Sequence, residues 1–289
     1  MKPVAITHPD KVLFPDDGIT KGDLAAYYEA IAPLMLPHLR GRPITMERYH
    51  RGIGAPGFIQ KDVSKGFPGW LERVEVPKKG GTVQHPLAGD ARSLLWLANQ
   101  NCVTPHVWIS RVPDLARPDI CVFDLDPSEN RPGDLRDAAC QLRDLLLEYN
   151  LKSWVKTSGS KGFHIVVPLD AELGYGDVAH FAHRIGSILV SRDPARLTQE
   201  FAKADRGGRI YIDTGRNGYS ATFAAVYAVR AKPGAPVSAP CTWQELERGK
   251  AHPQTFTLRN MAKRVADAGD PWQDLLQERQ SLRPAIERI

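Results

Sequence analysis

The stretch Ile120-Cys-Val-Phe-Asp-Leu-Asp-Pro127 is an apolar run that carries two aspartates two residues apart and is stopped by proline. Side chains alternate faces along a strand, so Asp124 and Asp126 share one side and Leu125 takes the other. Adjacent carboxylates repel and resist joint ionisation unless a cation lies between them. At the end of a buried strand such a pair forms half of a divalent-metal site. A strand that simply ends in an Asp-Pro turn has the same pattern, so partners elsewhere in the chain must decide between the two.

Downstream, the periodicity predicts a helix from Pro132 to Tyr149, with Leu135, Ala139, Leu142, Leu146 and Tyr149 on one face. A strand at Ser153–Thr157 leads into the turn Thr157-Ser-Gly-Ser-Lys-Gly-Phe-His164 and a second strand, Phe163–Pro168. Glycines at 159 and 162 let the backbone curl until several N–H groups face one point. Ser158, Ser160 and Lys161 add hydroxyls and a cation there, which is the chemistry of a phosphate cradle. The spacing is not that of a Walker A loop, and a strand follows where that loop needs a helix. A flexible polar hairpin fits the segment equally well. His164 faces away from Phe163 and Ile165, as a satisfied structural histidine also would. Helices near Val178–Val190 and Ala195–Ala204 are expected before a strand at Arg209–Asp213. Asp213 is a third candidate carboxylate, or else the start of an Asx-turn before Gly215. Three carboxylates can hold two divalent ions roughly 3.5–4 Å apart for in-line phosphoryl transfer. A further strand, Thr222–Val229, would end at Arg230, which suits bidentate pairing with phosphate.

Upstream, Thr20-Lys-Gly-Asp23 reads as a capping box opening a helix through Leu24, Tyr27, Tyr28 and Ile31, which Pro33 and Pro37 are expected to break. Short strands are expected at Ile44–Tyr49 and Gly57–Val63, a helix at Leu94–Asn99 and a strand around Val107–Arg111. The tail from Thr257 to Ile289 reads as mostly helical. Antiparallel hairpins mixed with helices give an α+β class. Lys11 and Lys21 can clamp one phosphate, and His106 can lie against a flat ring. Phe58 and Ile59 are either core or a wedge against nucleobases. His180-x-x-His183 and Cys102-x-x-x-His106 lack the partners that zinc requires, so no zinc is expected.

Composition sets wider bounds. The 289 residues are 42% hydrophobic and 25% charged, ordinary for a soluble globular protein. There is no run of about 18 apolar residues to span a membrane, and Met-Lys-Pro-Val-Ala-Ile-Thr-His lacks a signal-peptide core. Cys102, Cys121, Cys140 and Cys241 are scattered without C-x-x-C spacing, so reduced thiols and a cytoplasmic location are expected. The net charge of +5 is mildly basic and spread along the chain, so any nucleic-acid surface must be assembled by folding.

Taken in order, F-D-L-D-P at 123–127, T-S-G-S-K-G-F-H at 157–164 and Y-I-D at 211–213 resemble the archaeo-eukaryotic primase superfamily. The closer resemblance is to the polymerase domain of bacterial ligase D, the end-joining ligase. D-K-V-L-F-P at 10–15, T-K-G-D at 20–23, L-R-G-R-P at 39–43 and V-R-A-K-P-G-A-P-V at 229–237 are also similar to that domain. The resemblance covers residues from about 5 to 275. It implies one primase-polymerase module over 1–289, with an RRM-like antiparallel sheet flanked by helices and an N-terminal α/β subdomain. Its parts would be a DNA-binding part to about 115, a catalytic part at about 116–250 and a helical tail.

The activity implied is template-dependent nucleotidyl transfer, preferring ribonucleotides, at short gaps and broken ends. Asp124, Asp126 and Asp213 would bind two Mn²⁺ or Mg²⁺ ions. Ser158, Ser160, Lys161, Gly162, His164 and Arg230 match positions that grip the NTP or dNTP triphosphate, and His106 matches one lying against the incoming nucleotide. Lys11 and Lys21 match a pair that binds a downstream 5′-phosphate of gapped or 3′-overhanging DNA. His8 stands where the family often has asparagine. Phe58 and Ile59 match two aromatics that stack on the template, and Ile59 loses the flat face. The chain has no K-x-D-G nucleotidylation motif, so a DNA ligase and end-binding proteins are the expected partners. A de novo primase, a DNA-end-bridging module and a metal-dependent phosphodiesterase are the competing functions.

Overall fold

A computed structural model describes residues 4–63, 66–129 and 131–289, so Met1–Pro3 of the segment read as lacking a signal core lie outside it. The chain forms two compact units. One comprises Met1–Pro113, Thr222–Ser238 and Phe256–Asp270, and the other Asp114–Ala221, Ala239–Thr255 and Pro271–Ile289.

The second unit is organised by a six-stranded sheet. Its spatial order is Leu197–Thr198, Ile210–Asp213, Ile120–Pro127, Phe163–Pro168, Trp154–Thr157 and Pro240–Cys241. Neighbours are antiparallel except the first pair, which is parallel. The aspartate-bearing strand is therefore interior and bonded on both sides. Cys121, Phe123 and Leu125 are fully buried, and Asp124 and Asp126 alternate with them at partly exposed positions. Two helices, Pro132–Glu148 and Tyr175–Arg192, bury apolar stripes at helical spacing: Leu135, Ala139, Leu142 and Leu146 on one, Val178, Phe181, Ile185 and Leu189 on the other. His180 and His183 are exposed.

Ile210–Asp213 stops opposite Asp124, and a side chain then takes over the ladder. The Val122 N–H donates to Asn217 Oδ1 at 2.8 Å, and Asn217 Nδ2 donates to the Val122 carbonyl at 2.7 Å. Asn217 is fully buried, so its carboxamide stands in for a missing strand residue.

The first unit holds a four-stranded antiparallel sheet ordered Phe223–Ala224, Cys102–Val107, Ile44–Arg48 and Phe58–Gln60. The capping box is present: the Asp23 N–H donates to Thr20 Oγ1 at 3.1 Å, and the Thr20 N–H to Asp23 Oδ2 at 2.8 Å. The helix it opens departs from expectation, running unbroken from Lys21 to Leu39 with Pro33 and Pro37 inside. The prolines are four apart, so the missing N–H groups fall on one face. Burial of Tyr27, Tyr28, Ile31, Met35 and Leu39 holds the rest, and the Tyr28 hydroxyl donates to the Val103 carbonyl at 2.7 Å.

Three other expectations are corrected. The strand expected at Thr222–Val229 is only Phe223–Ala224, because Tyr227 takes a left-handed φ of 64°. The helix expected at 195–204 is replaced by the strand Leu197–Thr198 and a 3-10 turn at Lys203–Arg206, since Leu197 and Thr198 pair with Ile210 and Tyr211. Within the tail, helices cover only Met261–Ala268 and Arg283–Ile286. Among the described residues no helix is long and apolar enough to cross a membrane.

The Asn217 substitution tests this account of the sheet. Asn217→Ala leaves the Val122 N–H and carbonyl buried without their partners, at roughly 1–3 kcal/mol each. A loss of about 2–6 kcal/mol in urea unfolding is expected.

Candidate active site

Asp124 is the hub of the second unit's polar cluster. It pairs across the ladder with Asp213 on one side and with His164 on the other. His164 Nε2 lies 3.5 Å from Asp124 Oδ1, and His164 Nδ1 is 2.7 Å from Lys156 Nζ. Lys156 is fully buried. A lysine ammonium only donates, so this contact makes Nδ1 the acceptor and puts the ring proton on Nε2, facing Asp124. Burial pushes the Asp124 carboxyl upward, but His164, Arg216 and Lys156 outweigh it and hold the carboxyl at about 2.

Asp213 goes the other way. Burial raises its carboxyl, Arg216 and the Gly215 N–H oppose this, and the charges of Asp124 and Asp126 add to the rise. The Gly215 N–H donates to Asp213 Oδ1 at 2.8 Å, so the Asx-turn and the carboxylate cluster coexist. Arg216 bridges the pair, with Nη2 3.1 Å from Asp213 Oδ2 and Nε 3.5 Å from Asp124 Oδ2. Asp126 is held separately by Arg206, whose Nη1 lies 3.1 Å from Asp126 Oδ2. That guanidinium also donates to the Phe201 carbonyl and lies 4.1 Å from the centre of the Tyr211 ring.

Asp124 and Asp213 are thus brought together, with Asp126 turned to its own arginine. Among the described residues no three His, Cys, Asp or Glu side chains are gathered into a metal-sized group. The donor chemistry nonetheless suits a hard divalent cation: carboxylate oxygens, one of them on a carboxyl raised by burial and by the charges of Asp124 and Asp126.

The turn after Trp154–Thr157 is closed on its own first serine. Ser158 Oγ accepts from the N–H groups of Ser160 at 3.1 Å and Gly162 at 3.0 Å. The converging amides expected of a cradle are present, and the oxygen they meet is a hydroxyl. Gly159 supplies the left-handed residue, at φ 65°. Gly162 is needed for a different reason, since a Cβ there would overlap the carbonyl oxygen of Leu125, between the two aspartates. Ser160 and Lys161 line an open cleft of about 410 Å³ with Pro127, His252 and Gln254.

The remaining candidates lie in the first unit. Lys21 is buried at the start of its helix, with Nζ donating to the Thr7 carbonyl at 2.7 Å. Burial and then the charge of Lys11 lower its pKa, so the two ammonium groups feel one another. The Lys21 N–H donates to the Lys11 carbonyl at 2.8 Å and the Lys11 N–H to that of His8 at 3.1 Å, which ties the three together. Phe58 and Ile59 are 40% and 57% exposed, which removes the core-packing reading. The His50 ring lies 5.0 Å and the Arg48 guanidinium 5.2 Å from the centre of the Phe58 ring. His106 donates to or shares a proton with Glu47, Nε2 to Oε2 at 2.9 Å, and the Arg230 charge also acts on that carboxylate.

Sequence reasoning missed Lys156, Arg206, Arg216 and Glu47. Lys156 carried a signal, since a lysine two residues before the serine turn points into the sheet by strand alternation.

A sheet presenting Asp124 and Asp213 across one ladder, with a Ser-Gly-Ser-Lys-Gly turn docked on the same strand, defines the primase-polymerase class. The profile of the LigD primase-polymerase domain matches residues 20–272, and the chain belongs to that family. It is 34% identical to the multifunctional non-homologous end joining protein LigD of Mycolicibacterium smegmatis over 94% of this chain and 35% of that protein. It is likewise 34% identical to the protein of that name from Pseudomonas aeruginosa, over 99% of this chain and 34% of that one. The chain thus spans about a third of the length of these curated relatives. The solved polymerase domain of Mycobacterium tuberculosis ligase D in complex with DNA superposes with a TM-score of 0.91 at 33% identity, covering 97% of this chain and all of that one.

Gly162→Ala forces the turn away from Leu125, and overpacking of this kind costs roughly 1–3 kcal/mol. Loss of stability by chemical denaturation is the expected outcome.

Proposed function

We propose that this chain is a template-dependent nucleotidyltransferase that fills short gaps and broken DNA ends during end joining, with a preference for ribonucleotides. The observation that carries this is the docking of the Ser158–Gly162 turn on Leu125, between two aspartates of which one faces Asp213. A phosphate-gripping turn and a carboxylate cluster therefore share one strand. The names of the relatives support a role in end joining, and the DNA held by the similar solved domain supports DNA as the template.

Asp124, Asp126 and Asp213 would hold two divalent ions, Mn²⁺ or Mg²⁺, which lower the pKa of an attacking 3′-hydroxyl and offset triphosphate charge. The chain's own groups do the rest. Ser158 Oγ already accepts two amide hydrogen bonds, which polarises its O–H for donation to a phosphate oxygen. Ser160, Lys161 and the Gly162 backbone extend that grip into the cleft. His164, fixed by Lys156, aims Nε2–H beside Asp124. In the first unit His106 and Arg230 are the candidate nucleotide-binding residues. His8, Lys11 and Lys21 take the downstream 5′-phosphate, where two ammonium groups and a helix start favour an anion. Phe58 and Ile59 pack on the template. Ligation is left to a DNA ligase acting with end-binding proteins in the cytoplasm.

The test is primer extension on a gapped duplex bearing a downstream 5′-phosphate, with Mn²⁺, comparing NTPs with dNTPs. Asp124→Ala or Asp126→Ala is expected to reduce incorporation to about 1% or less, as loss of a metal ligand does. Extension that survives either change would sink the mechanism. Lys11→Ala with Lys21→Ala is expected to erase the advantage of a 5′-phosphorylated gap while leaving simple primer extension mostly intact. An undiminished advantage in that double variant would place the phosphate elsewhere.

A further inference from the structure

Glu47 is a carboxylate in contact with His106, a candidate nucleotide residue of the first unit, and an anion there would repel a triphosphate. Its surroundings account for it. Glu47 lies on Ile44–Arg48 opposite Thr104, while Thr45 lies opposite His106, so Glu47 and His106 are diagonal neighbours on one sheet face. Both carboxylate oxygens are used. His106 Nε2 lies 2.9 Å from Oε2, and the Tyr49 hydroxyl donates to Oε1 at 2.7 Å. Burial pushes the Glu47 carboxyl upward, but the hydrogen bonds from His106 and Tyr49 and the charge of Arg230 hold it at about 2. Glu47 is therefore an acceptor-only carboxylate near neutral pH, and His106 Nε2 must carry the proton that joins them.

We propose that Glu47, braced by Tyr49, is a positioning residue that holds His106 in the Nε2–H form and ring orientation in which it meets the incoming nucleotide. This rests on the reading above that His106 contacts the nucleotide. Tyr49 fixes the carboxylate, the carboxylate fixes the imidazole, and the imidazole presents one face and one protonation pattern to the substrate. A carboxylate–histidine pair of this kind orients histidines at metal sites in the same way. The carboxylate is met by donors from His106 and Tyr49 and by the charge of Arg230, which answers how an anion is tolerated there.

The experiment measures KM and kcat for the nucleotide on the gapped duplex in Glu47→Ala, Glu47→Gln, Tyr49→Phe, His106→Ala and the Glu47→Ala/His106→Ala double variant. Thermal unfolding confirms that each is folded, and ¹⁵N shifts report the His106 ring. Glu47→Ala is expected to raise KM about tenfold, in keeping with loss of a charged hydrogen bond, with kcat changed less than about twofold. Tyr49→Phe should move KM the same way by a smaller factor. Glu47→Gln keeps an acceptor for Nε2–H and should stay near wild type. The double variant should match His106→Ala, and the Nε2–H signature should be lost in Glu47→Ala alone. The proposal falls if Glu47→Ala leaves KM unchanged, or if its effect adds in full to that of His106→Ala. If His106→Ala itself leaves KM unchanged, the assignment of His106 to the nucleotide fails and the positioning role fails with it. That outcome is distinct from a Glu47 failure beside an active His106.

Discussion

Setting Asp124 opposite Asp213 inside a sheet is the constraint around which the second unit is arranged. Two facing carboxylates in a half-buried place cannot both ionise without positive charge close by. The chain supplies it from two directions. His164 approaches from the neighbouring strand, backed by Lys156 from the strand beyond it, and Arg216 reaches in from the turn that follows the other neighbour. Asp126, two residues on, has Arg206 to itself. The two facing carboxyls still end up shifted in opposite directions, one held low and the other pushed up. That imbalance is what a bound cation of higher charge would remove.

The first unit meets the opposite problem. Burial and then the charge of Lys11 lower the pKa of Lys21, at a helix start that already favours anions. The capping carboxylate of Asp23 in that segment is bound to the Thr20 N–H and hydroxyl. Glu47, by contrast, is an anion surrounded by His106, Tyr49 and the field of Arg230, so its charge is spent on holding those groups.

Several features were legible because they are local. The capping box at Thr20 and Asp23, the strand Phe163–Pro168 and the helix from Pro132 follow from residue type and short spacing. Asp124, Asp126, Asp213 and the serine–glycine turn stood out as candidates for the same reason. The misread segments are those where tertiary contacts overrule propensity. Pro33 and Pro37 do not end their helix because its buried face is worth more than the lost hydrogen bonds. Leu197 and Thr198 leave a helical pattern because a parallel edge beside Ile210 is available to them.

By itself the sequence determined the α+β class, the strand carrying two aspartates on one face and the turn chemistry at 157–164. Each depends only on alternation, capping and turn residues within a few positions. Only the tertiary structure decided which charges meet. Asp124 finds Arg216, His164 finds Lys156 and Glu47 finds His106 across separations that no local period encodes, because strand order and register set those distances. The pairing of strands, not the spacing of residues, gives the facing aspartates the positive neighbours they need.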